Sequence, residues 1–194
     1  MKEKITEGGI WNFELDNVPE YCYWKKAFTK AECNKIISLG KKFGTKIART
    51  RSKVSDIRKS KVLWLRCNND TYWIYQRLAG IITDINKKFF NFDLWGMHEA
   101  IQLTHYQAPG GKYKAHVDKG YKAQVRKLST TVQLSDPTSY KGGDLVLRSG
   151  EETKIQKEIG YVAIFPSYTL HEVTPMLKGE RWSLVCWVAG PNFK

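Results

Sequence analysis

No apolar run in the chain approaches the ~18 residues that a membrane-spanning helix needs. Met1-Lys2-Glu3-Lys4 leads into no secretory apolar segment. These absences predict a soluble, intracellular, cytoplasmic protein with no membrane partner. The four cysteines, Cys22, Cys33, Cys67 and Cys186, are widely spaced and form no CxxC pair. They read as reduced core thiols more readily than as disulfides or zinc ligands. No linker of Pro, Gly and Ser divides the chain, and neither an internal repeat nor a low-complexity segment occurs. Acidic residues are scarce: 19 Asp and Glu against 32 Lys and Arg leave a net charge of +13.

What is present suits one sizeable domain of 194 residues, with 42% hydrophobic content to build a core. The excess positive charge is concentrated. Between Lys41 and Lys61 nine basic residues face one acid, Asp56. Such a stretch attracts nucleic acid or an acidic protein surface through its long-range field. It also reads, and more simply, as a solvated, mobile loop.

Helical signals come early in the chain. Thr29-Lys30-Ala31-Glu32 is a capping box, followed at near-helical spacing by Cys33, Ile36, Ile37 and Phe43. A second helix is expected to open at Asp70 and run through Ile74, Leu78, Ile81, Ile82 and Ile85. Between them lie the basic stretch and a strand at Val62-Leu63-Trp64-Leu65. From about residue 99 the texture changes to eight short strands punctuated by turns such as Ala108-Pro109-Gly110-Gly111, Asp136-Pro137-Thr138-Ser139 and Gly142-Gly143. The expected fold class is α+β: a double-stranded β-helix (jelly-roll) barrel over about 99–190, with the helices of about 1–98 packed against it. The whole of 1–194 is expected to form a single domain.

Chemistry enters at His116-Val117-Asp118. In an extended strand, residues i and i+2 share a face, so His116 and Asp118 are able to grip one ion together. His171, at the start of another expected strand, completes two imidazoles and a carboxylate on one side of a metal. That set leaves coordination positions open and suits redox-active iron. Zinc is the alternative, because three protein ligands plus water is also its catalytic pattern. Arg181, with Ser183 on the same strand face, supplies a guanidinium fitted to a carboxylate, which a simple zinc hydrolase does not require. A lone HxD proves little, and His116 by itself reads as a hydrogen-bonded strand residue. His98 and His105 are expected to be structural. No catalytic residue beyond the metal ligands is assigned, because the chemistry belongs to the metal.

The run Tyr106-Gln107-Ala108-Pro109-Gly110-Gly111-Lys112-Tyr113-Lys114-Ala115-His116-Val117-Asp118 resembles the Fe(II)/2-oxoglutarate-dependent dioxygenases, specifically their prolyl 4-hydroxylase-like branch. Leu134 to Leu145, Leu170-His171-Glu172-Val173-Thr174-Pro175 and Lys178 to Trp187 are similar to later signatures of the small bacterial and phage-encoded hydroxylases in that group. The resemblance implies Fe(II) held by His116, Asp118 and His171, with 2-oxoglutarate and O2 as co-substrates and ascorbate as a stimulant. It also implies that Arg181 pairs with the far carboxylate of 2-oxoglutarate. Collagen-type members carry lysine there, so this chain stands nearer other members of the branch. Tyr106 matches a tyrosine that contacts the co-substrate, although it also reads as an aromatic core residue. Gln133 and Ser183 are placed by strand faces that would reach the far carboxylate. By this analogy the reaction is hydroxylation of a peptide or protein, with proline as favoured residue and release of succinate and CO2. The alternative is oxidation or demethylation of a nucleic-acid base by the same iron centre, suggested by the charge and by Trp64, Tyr72 and Trp73. A metal-binding barrel without activity is a third reading, disfavoured by the ligands and guanidinium occurring together.

Overall fold

The computed structural model describes residues 18–48, 56–119 and 125–192. Arg49, Arg51 and Lys53 of the basic stretch lie outside them. The chain begins with β1 (Cys22–Trp24) and then α1 (Lys30–Phe43), followed by three short strands: β2 (Lys46–Ile47), β3 (Arg58–Lys59) and β4 (Lys61–Leu65). Helix α2 (Tyr72–Ile85) continues into one π-helical turn, Asn86–Phe90. The remaining strands are β5 (Ile101–Gln107), β6 (Lys112–His116), β7 (Val125–Gln133), β8 (Lys141–Gly142), β9 (Leu145–Ser149), β10 (Glu151–Lys154), β11 (Val162–Pro166), β12 (His171–Val173), β13 (Met176–Lys178) and β14 (Glu180–Gly190).

They assemble into two facing antiparallel sheets, the expected jelly roll. The larger has the order β1-β11-β7-β14-β5-β4-β2 and the smaller β10-β9-β12-β6-β3, with β8 and β13 forming a separate ribbon. The 1–98 part is not purely helical. Strands β1, β2 and β4 extend the large sheet, and β3 closes one edge of the small one.

Period-2 alternation along the large sheet explains its two faces. Leu103, Leu128, Val132, Ile164, Trp182 and Leu184 point toward the helices and are fully or nearly fully buried with Ile36, Ile74, Leu78 and Ile82. The alternate residues face the small sheet, where Tyr106, Phe165 and Tyr161 pack with Leu147 and Val173. Helix α1 starts at its capping box: Glu32 N–H donates to Thr29 Oγ1 at 3.2 Å, and Thr29 N–H donates to Glu32 Oε2 at 2.8 Å. Helix α2 begins two residues later than expected. Thr71 turns its hydroxyl back to the Arg66 carbonyl (2.6 Å), so no side chain caps the first turn.

His105 faces the helix side, stacked on Trp182 with 3.8 Å between ring centroids, its Nε2 2.8 Å from Glu180. It is structural, as expected. Cys22, Cys33 and Cys186 are buried free thiols, whereas Cys67 is exposed and not part of the core. Among the described residues no helix is long and apolar enough to cross a membrane.

Gly40 sets the distance between α1 and the sheet. A Cβ there would stand 2.5 Å from the Trp182 ring and 2.9 Å from Leu103, closer than packed atoms tolerate. The Trp182 ring is stacked on His105, with 3.8 Å between centroids, which limits its freedom to move aside. Gly40→Ala is therefore expected to destabilise by about 1–3 kcal/mol, an overpacking cost that exceeds the helix-propensity gain of up to ~1 kcal/mol. A urea titration measures it; an unchanged or raised midpoint would contradict this packing.

Candidate metal centre

His116 ends β6 and His171 opens β12, and the two strands pair so that these residues are direct cross-strand partners. Their imidazole centroids lie 4.2 Å apart. Asp118 lies past the end of β6 rather than within the strand. Its position comes from a loop anchored by two backbone bonds, Asp118 N–H (3.0 Å) and Lys119 N–H (2.9 Å) donating to the Ser167 carbonyl. The result satisfies the same requirement as an extended strand: one donor atom each from His116, Asp118 and His171 lies within 4.8 Å of the others.

The tautomers are set by the backbone. His116 Nδ1 is 2.8 Å from the Lys114 carbonyl, and His171 Nδ1 is 2.9 Å from the Thr169 carbonyl. A carbonyl only accepts, so each Nδ1 carries a proton, and in the neutral ring the lone pair then lies on Nε2. Both Nε2 atoms face the carboxylate, at 3.6 Å from Asp118 Oδ1 and 3.4 Å from Oδ2 respectively. Ser129 Oγ donates to Asp118 Oδ2 at 2.9 Å and contacts Ser167 Oγ at 2.9 Å. Tyr113 stacks on His116 at 3.5 Å, and Phe165 meets His171 edge-on at 4.9 Å. Such surrounding contacts fix ligand orientation. Two neutral imidazole nitrogens and one carboxylate on one side are a donor set that fits Fe(II).

Burial pushes the His116 imidazole down to about 4, and the neighbouring His171 pushes in the same direction. Burial alone would raise the Asp118 carboxyl, but the His171 and His116 imidazoles outweigh it and hold the group below its ordinary value. Both are thus in metal-binding form at neutral pH. For His116 the folded value lies below the unfolded one, so the unfolded chain takes up that proton first. Stability is therefore lost as pH falls from about 6.5 to about 4. In metal-free protein the His116 ring is expected to stay neutral down to about pH 4 when followed by NMR titration. A midpoint near 6.5 would contradict the burial of this ring.

The histidines and Asp118 sit at one side of a cavity of about 280 Å³ between the two sheets. Tyr106, Arg181 and Ser183 also line it, each at most 4% exposed. Tyr106 is at once a packed core residue and part of the cavity wall. Gln133 does not reach the cavity. It sits behind the arginine: its Oε1 accepts from Arg181 Nε at 3.0 Å, while its Nε2 donates to Tyr140 OH and the Ser135 carbonyl, both at 2.9 Å. Among the described residues no carboxylate pairs with Arg181, whose guanidinium is buried with neutral neighbours.

Sequence reasoning missed Ser129, Tyr113, Trp187, Arg126 and Arg58, all in the wall. Trp187 was accessible by continuing the alternation Arg181, Ser183, Val185, Trp187 along β14, and Ser129 by stepping back from Gln133 along β7. Arg126 grips Glu99 with two bonds of 2.6 and 2.5 Å and lies over Trp187 at 3.9 Å. No local pattern announces it or Arg58.

Residues 101–189 match the family model of the 2OG-Fe(II) oxygenase superfamily. A PKHD-type hydroxylase of Synechococcus sp. (strain CC9605) is 42% identical over 89 residues, 44% of this chain and 40% of that protein. Another PKHD-type hydroxylase, of Sphingopyxis alaskensis, is 33% identical over 123 residues, 59% of this chain and 56% of its own length. The chain thus spans about half the length of these curated relatives or less. A prolyl hydroxylase from Trichoplax adhaerens, solved in complex with a hypoxia-inducible-factor oxygen-degradation-domain peptide fragment, superposes with TM-score 0.74 at 17% identity, covering 88% of this chain and 84% of that one. A Pseudomonas putida prolyl-4-hydroxylase gives 0.70 at 19% identity, covering 89% and 94%. At such identities these structures establish the fold. The family resemblance read from the motifs agrees with all of these comparisons.

Proposed function

We propose, from the match of residues 101–189 to the family model of the 2OG-Fe(II) oxygenase superfamily, that the chain is a dioxygenase that hydroxylates a peptide or protein, with proline as the favoured residue. The observation that carries this reading is one cavity holding the His116, Asp118 and His171 donor atoms together with the buried Arg181. His116, Asp118 and His171 would hold Fe(II), and Arg181 would take the far carboxylate of 2-oxoglutarate. Bound iron supplies the O2-dependent oxidation, coupled to decarboxylation of 2-oxoglutarate to succinate and CO2.

The protein's share is placement. Lys114 and Thr169 carbonyls fix the imidazole tautomers, and Ser129 fixes the carboxylate. Gln133 aims Arg181 from behind, through the bond from Arg181 Nε to its Oε1. A buried guanidinium with only neutral partners is costly unless an anion joins it, which favours a dicarboxylate in the pocket. The peptide substrate is supported by the hydroxylase relatives and by the neighbour solved with a peptide. Ascorbate is expected to sustain turnover.

A second reading, oxidation of a nucleic-acid base, draws on Trp64, which is 45% exposed and lines the cavity. Tyr72 and Trp73 lie on α2 and not in the cavity wall. Incubation with Fe(II), 2-oxoglutarate and either proline-containing peptides or oligonucleotides separates the two. The expected result is peptide-stimulated succinate with a gain of about 16 Da, one oxygen atom, on the peptide. Stimulation by oligonucleotide alone would replace the first reading with the second.

A further inference from the structure

Beyond Arg181, two more guanidiniums line the cavity, Arg58 and Arg126. Their charge states differ in what surrounds them. Arg126 is neutralised by Glu99, which it grips through Nε and Nη2. Arg58 is held just as firmly, but only by neutral groups. Its Nε donates to Ser60 Oγ at 2.8 Å, its Nη2 to Gln102 Oε1 at 2.6 Å, and its guanidinium lies 4.6 Å from the Tyr113 ring centroid. Gln102 and Ser60 are themselves buried, and Thr104 Oγ1 donates to the same Gln102 oxygen at 3.1 Å. Among the described residues no carboxylate lies within ion-pair distance of Arg58.

Charge bookkeeping over the cavity isolates this residue. On the proposed reading, Asp118 and one end of 2-oxoglutarate offset the two charges of Fe(II). The other end of 2-oxoglutarate offsets Arg181, and Glu99 offsets Arg126. Arg58 is left uncompensated in a partly buried wall, where an unmatched cation is unfavourable. The field around it has the same sign. Lys46, Lys59, Lys61 and Lys114 are exposed on β2, β3, β4 and β6, and Lys59 stands directly opposite Lys112 in the β3–β6 register. Like charges placed opposite each other destabilise a strand pair, so this edge is arranged to suit an incoming anion rather than its own stability.

We propose that Arg58 is a specificity-determining residue that receives a carboxylate of the substrate, and that the substrate is therefore an acidic peptide with Asp or Glu close to the hydroxylated residue. Strand β3, which carries Arg58, is the outer strand of the small sheet, and among the described residues no strand pairs with its far edge, the side on which an extended chain would add. A peptide laid there would place a side-chain carboxylate against the guanidinium in bidentate geometry. This inference rests on the hydroxylase reading above.

The test uses three labelled peptides identical except beside the proline, where they carry Asp/Glu, Asn/Gln or Lys. Their binding to metal-free protein is followed by fluorescence anisotropy, with succinate release measured in parallel on the Fe(II)-loaded enzyme. Wild type is expected to bind the acidic peptide about tenfold or more tighter than the amide one. Arg58→Gln should abolish that preference, and Arg58→Glu should transfer it to the lysine peptide, a gain that a misfolded variant does not show. Equal binding of acidic and amide peptides by wild type, or full preference retained in Arg58→Gln, would overturn the proposal. So would an oligonucleotide that displaces the acidic peptide at near-physiological salt. Arg58-dependent binding without succinate release from any peptide would leave the anchor standing and overturn the hydroxylase reading instead.

Discussion

Asp118→Ala is expected to lower turnover by well over ~100-fold while changing folding stability by no more than ~1–2 kcal/mol. Removing a group that merely orients a ligand typically costs ~10–100-fold, and Asp118 is proposed as a ligand itself. The small stability change follows from what surrounds it. In the metal-free protein the carboxylate is nearly buried between two imidazoles, and its Ser129 bond is offset by the cost of keeping a charge out of water. The main core lies on the opposite face of the large sheet, around Leu103, Leu184 and the two helices, and is not touched. Two measurements together decide the matter: anaerobic titration with Fe(II) and 2-oxoglutarate, read by charge-transfer absorption, and thermal unfolding. A variant that keeps the absorption and the turnover would remove Asp118 from the ligand set. One that unfolds at room temperature would mean that the residue holds the fold rather than the metal.

The parts of this site legible in the sequence were those written in short-range code. His116 and Asp118 are two residues apart, and their spacing alone placed them together, although the strand ends at His116 and a loop tied to Ser167 completes the geometry. The capping box located α1 to the residue, because both halves of that motif are local. All eight strands expected after residue 99 are present, since period-2 alternation and turn residues mark each end. Strands β2, β3 and β8 are two residues long, too short for any period to register, and they form because longer neighbours offer an edge. Long-range code was the harder part. Gln133 has the right strand face but the wrong depth, because Arg181 folds across it and takes its oxygen. Whether Arg126 or Arg58 enters the cavity depends on Glu99 and Gln102, which lie 27 and 44 residues away in the chain.

That placement of Gln133 sharpens the second large effect. Arg181→Ala is expected to raise the 2-oxoglutarate requirement by about 30-fold or more, since deleting one member of a buried charge pair costs ~2–5 kcal/mol. Arg181→Lys retains the charge but loses the planar fork, so its requirement should fall between the two. Gln133→Ala leaves the guanidinium in place but frees its Nε and strips Tyr140 of a donor, so it acts only through aim. Its effect should be smaller than that of Arg181→Ala, roughly the ~1–3 kcal/mol of one buried unsatisfied group. The ordering is the informative quantity: wild type, then Gln133→Ala, then Arg181→Ala, read as the 2-oxoglutarate concentration giving half-maximal turnover at saturating Fe(II). If Arg181→Ala left that concentration unchanged while Gln133→Ala raised it, the carboxylate would be held by the Gln133 and Tyr140 pair. The arginine would then be a structural cation.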